Sequence, residues 1–261
     1  MRIAVCQHTF RFRQSVQREM SAPRAAGDAS AGVCRMTHMR PHFERISAHL
    51  YRYHERALPP PTLPPRLLVL FVPGNGGDHA QIRSIAAETL RADGEAVGFY
   101  AVNLGTGYSA LDGHTLRRHA TRVVAAVRAL AAEHQPQLPL VLLAHSMGGV
   151  AALEAVRLMD EADAPSNPPR GQGTKSPHVN TANAAEPPDV VGLISLGAPL
   201  AKPPVAVSTS LIRVYSQLHA HWRRRRARIA LVSVCGGARD RQVPCQQKKT
   251  CHDSVTAQTP P

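Results

Sequence analysis

Leu138-Pro139-Leu140-Val141-Leu142-Leu143-Ala144-His145-Ser146-Met147-Gly148-Gly149-Val150 decides how this chain folds. An apolar run of strand length stops at a serine set among small residues, and an alanine-rich pattern of helical spacing starts at once. A strand that turns into a helix within so few residues holds the serine in a strained backbone geometry and carries its hydroxyl clear of the sheet. Such an elbow tolerates only small neighbours. The usual pattern is G-x-S-x-G; here Ala144 stands at the first glycine position and Gly148 keeps the second.

Working outward, a second apolar run, Arg66 to Val72, reads as a parallel strand covered on both faces. Pro73-Gly74-Asn75-Gly76-Gly77 follows it. Glycines after a buried strand let backbone N–H groups point at a ligand, which makes Gly74, Asn75 and Gly76, with Met147 after the serine, candidates for stabilising an oxyanion. Ile82 to Ala92 has helical spacing, with Ile82, Ile85, Ala86 and Leu90 on one side. Phe99 to Leu104 reads as the next strand, and Thr115 is expected to cap a helix through about Glu133. Asp112 and His114, in the loop between them, are candidates to line the site, with a merely solvated loop histidine as the alternative. Val190 to Leu196 resumes the core, a helix runs from about Ser210 to Arg226, and Ile229 to Val234 is the last expected strand. Strands alternating with helices predict an α/β fold with a mostly parallel sheet and helices on both faces.

The flanks read differently. Residues 1–33 lack periodicity and read as a disordered extension, 34–245 as the folded domain, 160–188 as a disordered insertion rich in Pro, Ser, Asn and Gly, and 246–261 as a polar tail. Between Phe43 and Tyr51 the pattern is helical, and the alternation of Leu50, Tyr51 and Tyr53 suggests an edge strand. The Pro59–Pro65 stretch stiffens the approach to the first long strand.

With 261 residues the chain has room for one α/β domain. Lys and Arg number 31 against 18 acidic residues, a balance of +13 that favours anionic partners. Aromatics make up only 4% of the chain, too few for base stacking, so nucleic acid is not expected. The run Arg223-Arg224-Arg225-Arg226 reads as a solvated helix face, with phosphate or lipid headgroups as the alternative it would suit. The 5 cysteines show no metal-ligand spacing, so neither a metal nor a cofactor is expected; Cys245 and Cys251 are near enough to bridge in an oxidising compartment, which the sequence alone leaves open. No apolar run approaches the roughly 20 residues of a membrane span.

A serine hydroxyl needs a histidine to take its proton and a carboxylate to orient that histidine. Asp240 suits the acid, in a glycine-containing turn after the last strand, although a solvated turn aspartate between Arg239 and Arg241 fits the same residues. After Asp240 the sole histidine is His252, in a polar segment with no pattern to position it.

Five separated pieces then carry a resemblance. They are Cys34-Arg35-Met36-Thr37-His38-Met39 with Tyr51-Arg52-Tyr53-His54-Glu55; Pro73 to Gly77 with Gln81-Ile82-Arg83-Ser84; Ser109 to Gly113 with Thr115-Leu116; the Ser146 elbow; and Leu196-Gly197-Ala198-Pro199, Pro203-Pro204 and Gly236-Gly237-Ala238-Arg239-Asp240-Arg241-Gln242-Val243. Over about residues 34–245 the chain resembles the GPI inositol-deacylases, α/β-hydrolases of the endoplasmic reticulum. The resemblance implies an α/β-hydrolase fold, Ser146 as nucleophile, Asp240 as acid, oxyanion donors near Asn75 and Met147, and a catalytic histidine further past the aspartate turn than His252, the one candidate this chain offers. It implies hydrolysis of the fatty acyl ester on the inositol of GPI anchors, in support of transport of GPI-anchored proteins out of the endoplasmic reticulum, with GPI lipid and a membrane surface as partners. Members of the family carry membrane spans absent here, so the chain resembles a truncated member. A lipase or acyl-esterase of other specificity, or an inactive hydrolase-like binding module, remains compatible with the same residues.

Overall fold

In a computed structural model of the chain, the described residues hold one sheet, in the order β1 (Pro41–Arg45), β2 (Leu50–Glu55), β4 (Val97–Val102), β3 (Leu67–Val72), β5 (Leu140–His145), β6 (Val190–Leu196), β7 (Ala230–Val234) and β8 (Thr256–Gln258). The structure describes residues 41–59, 61, 63–93, 96–134, 138–162, 189–205, 207–224, 229–235 and 256–258. All of these belong to the unit Met39–Pro261.

The central strands are β3 (Leu67–Val72), β4 (Val97–Val102), β5 (Leu140–His145), β6 (Val190–Leu196) and β7 (Ala230–Val234), all parallel to one another. Their continuous apolar character has a direct cause. Along β3, Leu68, Leu70 and Val72 enter one core while Val69 and Phe71 enter another on the opposite face. Helix α1 (Arg83–Asp93) covers the second face, with Ala86 and Ala87 in its core. Helices α2 (Gly113–Glu133), α3 (Met147–Ala162) and α4 (Thr209–Arg224) cover the first. This is the α/β-hydrolase fold expected from the sequence.

Several local expectations are corrected. The alternating segment is β2 (Leu50–Glu55), which is internal, and the edge strand is β1 (Pro41–Arg45), in the stretch read as leading into a helix. Pro41 lacks an N–H and β1 carries His42, Glu44 and Arg45, residues suited to an unpaired edge. A short 3-10 turn, His79–Ile82, precedes α1, and Ile85 faces solvent rather than the core. The fourth strand ends at Val102, before Leu104. Helix α2 is capped by Asp112, whose side chain accepts from the amides of His114 and Thr115, rather than by Thr115. Helix α3 runs to Ala162, past the expected start of the insertion, and β8 (Thr256–Gln258) adds an antiparallel strand from the segment read as a tail. The extension 1–33, residues 163–188, Arg225 and Arg226 lie outside the described residues. Cys235 is disulfide-bonded, and Cys245 and Cys251 lie outside the described residues.

Candidate active site at the carboxyl rim of the sheet

Parallel strands β3, β5, β6 and β7 end on one rim, where ligands of open α/β sheets bind. Ser146 sits there between β5 and α3 with φ of 52°, the one non-glycine residue in the left-handed region among those described. A side chain in that region costs about 1–2 kcal/mol, and such strain concentrates where function over-determines the backbone. Hydrogen bonds hold the bend on both sides. The Ser146 amide donates to Leu196 O at 2.9 Å, and Gly149 N donates to Ser146 O at 3.0 Å.

The small residues around the serine are explained by what touches them. A Cβ on Gly148 would lie 2.4 Å from Val72 O and 2.5 Å from Pro73 O, and one on Gly149 would lie 2.5 Å from the Ala198 Cβ. Helix α3 thus begins wedged between the ends of β3 and β6. Ala144, at the first glycine position of the pattern, is fully buried. Met147 opens α3, and first-turn amides have no acceptor within their own helix. Its side chain points inward, where the Tyr215 hydroxyl approaches Sδ at 3.9 Å and donates to Pro199 O at 2.9 Å. Tyr215 was not singled out in the sequence. Its spacing with Leu211, Val214 and Leu218 on α4 is the signal that it is core.

The loop after β3 lies against the serine. A Cβ on Gly74 would stand 2.9 Å from the Ser146 Cβ and 3.0 Å from His145 O, so only glycine permits this approach. Gly77 N donates to Gly74 O at 3.0 Å, and Gly76 supplies the left-handed residue of the turn, φ 66°. Asn75 turns out to be a clamp: its Oδ1 accepts from Ala110 N at 3.0 Å and fastens the loop after β4 onto the glycine loop. Asp112, considered as a site residue, is spent otherwise. Beyond its cap it accepts from Thr115 Oγ1 and Ser210 Oγ, and the Thr115 bonds, foremost, lower its pKa to about 2. His114 is exposed.

Ser146, Met147, Gly74, Asn75 and Gly76 therefore come together. Asp240 and His252 lie outside the described residues. The strand ahead of Asp240 ends on the same rim, where Gly197 N donates to Val234 O at 2.7 Å.

Burial depresses the His145 imidazole below its ordinary pKa. His119, under the loop after β4, is buried with neither ring nitrogen hydrogen-bonded. Burial first, then the charges of Arg122 and Arg118, push its pKa down to about 4. The unfolded chain, with an ordinary histidine pKa near 6.5, takes up this proton first. The stabilisation is therefore whole above pH about 6.5 and is lost as pH falls toward 4, with a slope of at most about 1.4 kcal/mol per pH unit. His119→Leu should flatten the fall in thermal midpoint between neutral pH and about pH 5. An unchanged slope would place the pH sensitivity elsewhere, on His79, His134 or His145, which burial shifts the same way.

Relatives of known name resemble the chain. A GPI inositol-deacylase of Chaetomium globosum is 27% identical over 259 residues, covering 81% of this chain and 20% of that protein. One of Cryptococcus neoformans is 29% identical over 239 residues, covering 80% of this chain and 28% of its own length. The chain thus spans about a fifth to a quarter of the curated relatives it matches. Among solved structures, the apo form of Thermogutta terrifontis esterase 2 has a TM-score of 0.46 at 16% identity, over 78% of this chain and 74% of that one. Residues 66–259, well over half the chain, match the PGAP1-like alpha/beta domain, and the chain belongs to that family.

Proposed function

We propose that the chain carries the catalytic domain of a serine ester hydrolase, acting on the fatty acyl ester of GPI inositol at the endoplasmic reticulum. The observation that carries this is the strained Ser146 at the strand-to-helix junction with Gly74 pressed against it. The names of the relatives support the substrate class. In this reading Ser146 Oγ attacks the acyl carbonyl, a histidine takes its proton, and the amide of Met147 with one from the Gly74–Gly76 turn holds the oxyanion. The histidine returns the proton to the departing inositol oxygen, leaving an acyl-enzyme. Water, activated by the same imidazole, then releases the fatty acid and regenerates Ser146.

His252 is proposed as that base and Asp240 as the acid that orients it. Strand β8 supports this assignment. Thr256 pairs with Ser233, one residue short of the rim end of β7, and an antiparallel strand enters from that end. Three residues lie between His252 and Thr256, and these four Cα–Cα steps reach up to about 14 Å, against the roughly 14 Å from β8 to β5, three strands away in the sheet.

The test is direct. An acyl group on inositol blocks cleavage by inositol-specific phospholipase C, so the purified chain should render inositol-acylated GPI sensitive to that enzyme. Ser146→Ala and His252→Ala should not. Acyl release from simple esters with none from GPI would favour an esterase of other specificity, and full activity in His252→Ala would remove the base assignment.

A further inference from the structure

Seven large apolar side chains are exposed among the described residues, and five of them fall in two short segments, 108–111 and 205–212: Tyr108 (65% exposed), Leu111 (48%), Val205 (46%), Val207 (68%) and Ile212 (47%). Single exposed apolar residues are ordinary; a group gathered at a site is not. The two segments are stitched together. Gly113 N donates to Ser210 Oγ at 3.0 Å, Ser210 Oγ donates to Asp112 Oδ1 at 3.1 Å, and Ser208 Oγ lies 2.6 Å from Ser210 Oγ. A Cβ on Gly113 would lie 2.3 Å from the carbonyl carbon of Ser210, so the backbones touch. The assembly is also fastened to the elbow, through the bond from Ala110 N to Asn75 and the approach of Tyr108 to Gly76.

The charges of these segments are one-sided. Residues 105–118 and 198–213 contain Arg117, Arg118, Lys202 and Arg213 against a single acid, Asp112. Its carboxylate already accepts four hydrogen bonds within the fold. Arg118, Lys202 and Arg213 are exposed. Apolar side chains with a tyrosine, set among the exposed cations Arg118, Lys202 and Arg213, match the boundary of a bilayer with anionic headgroups: aliphatic groups enter the acyl region, the phenol stays at its edge, and the cations meet phosphate and carboxylate.

We propose that this surface, formed by the segments 108–111 and 205–213, docks the domain onto an anionic phospholipid surface. The proposal does not depend on the esterase reading, because a catalytically dead chain would dock equally. It differs from attraction by net charge, since it assigns binding to one face and to apolar side chains on it.

The experiment is co-sedimentation of the full 261-residue chain with vesicles of phosphatidylcholine alone and of phosphatidylcholine mixed equally with phosphatidylserine. Wild type should sediment with the mixed vesicles. Leu111→Ser/Ile212→Ser should bind at least about tenfold more weakly, since two half-exposed aliphatic side chains no longer enter the lipid. Lys202→Ser/Arg213→Ser should lose roughly fivefold per charge. All four positions are solvent-exposed, so circular dichroism and thermal midpoint should be unchanged. Ser146→Ala should bind as wild type, which separates docking from catalysis. No sedimentation with either vesicle overturns the proposal. So does an apolar double variant that binds normally while replacement of Arg223, Arg224, Arg225 and Arg226 by serine abolishes binding, for then scattered charge suffices.

Discussion

Ser146→Ala is expected to abolish labelling by a fluorophosphonate probe and to lower ester turnover at least about a thousandfold, the scale of losing a covalent nucleophile. The companion Ser146→Gly distinguishes a functional strain from an accident of the turn. At φ 52° a Cβ is disfavoured, so glycine should raise stability by about 1 kcal/mol while labelling is lost as completely. Stability gained as activity disappears is the expected mark of a position held for its chemistry. A third variant, Gly74→Ala, leaves the hydroxyl in place but inserts a methyl 2.9 Å from the Ser146 Cβ and 3.0 Å from the backbone oxygen before it. Loop or elbow must then shift, and a displacement of around 1 Å costs on the order of a hundredfold in rate. Undiminished labelling in Ser146→Ala would assign the reactive residue elsewhere and remove the esterase reading.

The central sheet was legible in the sequence because both of its faces are covered. Runs such as Leu67–Val72 and Leu140–Ala144 must be apolar throughout, and no helix of so few residues would need to be. The elbow was legible for a related reason, since Gly148 and Gly149 abut backbone and Ala198 with no space for a side chain. The edge was harder to read. Strand β1 is a polar segment whose pairing with Leu50–Glu55 is a tertiary fact, so His42 and Glu44 give no period-two signal. Thr115 was the expected cap because both it and Asp112 suit that role, and Asp112 prevails by reaching two amides as well as the Thr115 hydroxyl. Strand β8 has three residues, too few for any periodicity, and exists because β7 offers an edge to pair with. Asn75 was read correctly as a residue of the site loop, but no sequence pattern shows that its side chain reaches Ala110, 35 positions away.

Removal of the Glu154 carboxylate should be the most destabilising single change in the helical layer. Glu154 is fully buried on α3, where Arg157 grips it with two hydrogen bonds, Nε to Oε2 at 2.7 Å and Nη2 to Oε1 at 2.8 Å. Arg117 of α2 approaches Oε1 at 3.5 Å and also donates to Gln217 of α4, so one carboxylate sits where three helices meet. The carboxylate hydrogen bonds, foremost, hold the Arg157 guanidinium well above its ordinary pKa, so it stays charged when its partner goes. Glu154→Ala should therefore cost about 3–5 kcal/mol, the penalty for stranding a buried cation. In a chain of this size that lowers the thermal midpoint by roughly 10 °C or more. Glu161 still pairs with Arg157 from an exposed position and moderates the loss. The decisive comparison is Glu154→Leu/Arg157→Leu, which removes both charges and fills the space. If the cost of the single variant comes from the unpaired cation, the double variant should recover most of it. An equally unstable double variant would mean that the pair itself, with Arg117, aligns the three helices, and the loss would then extend to labelling of Ser146 at temperatures where the protein is still folded, because α3 carries the elbow.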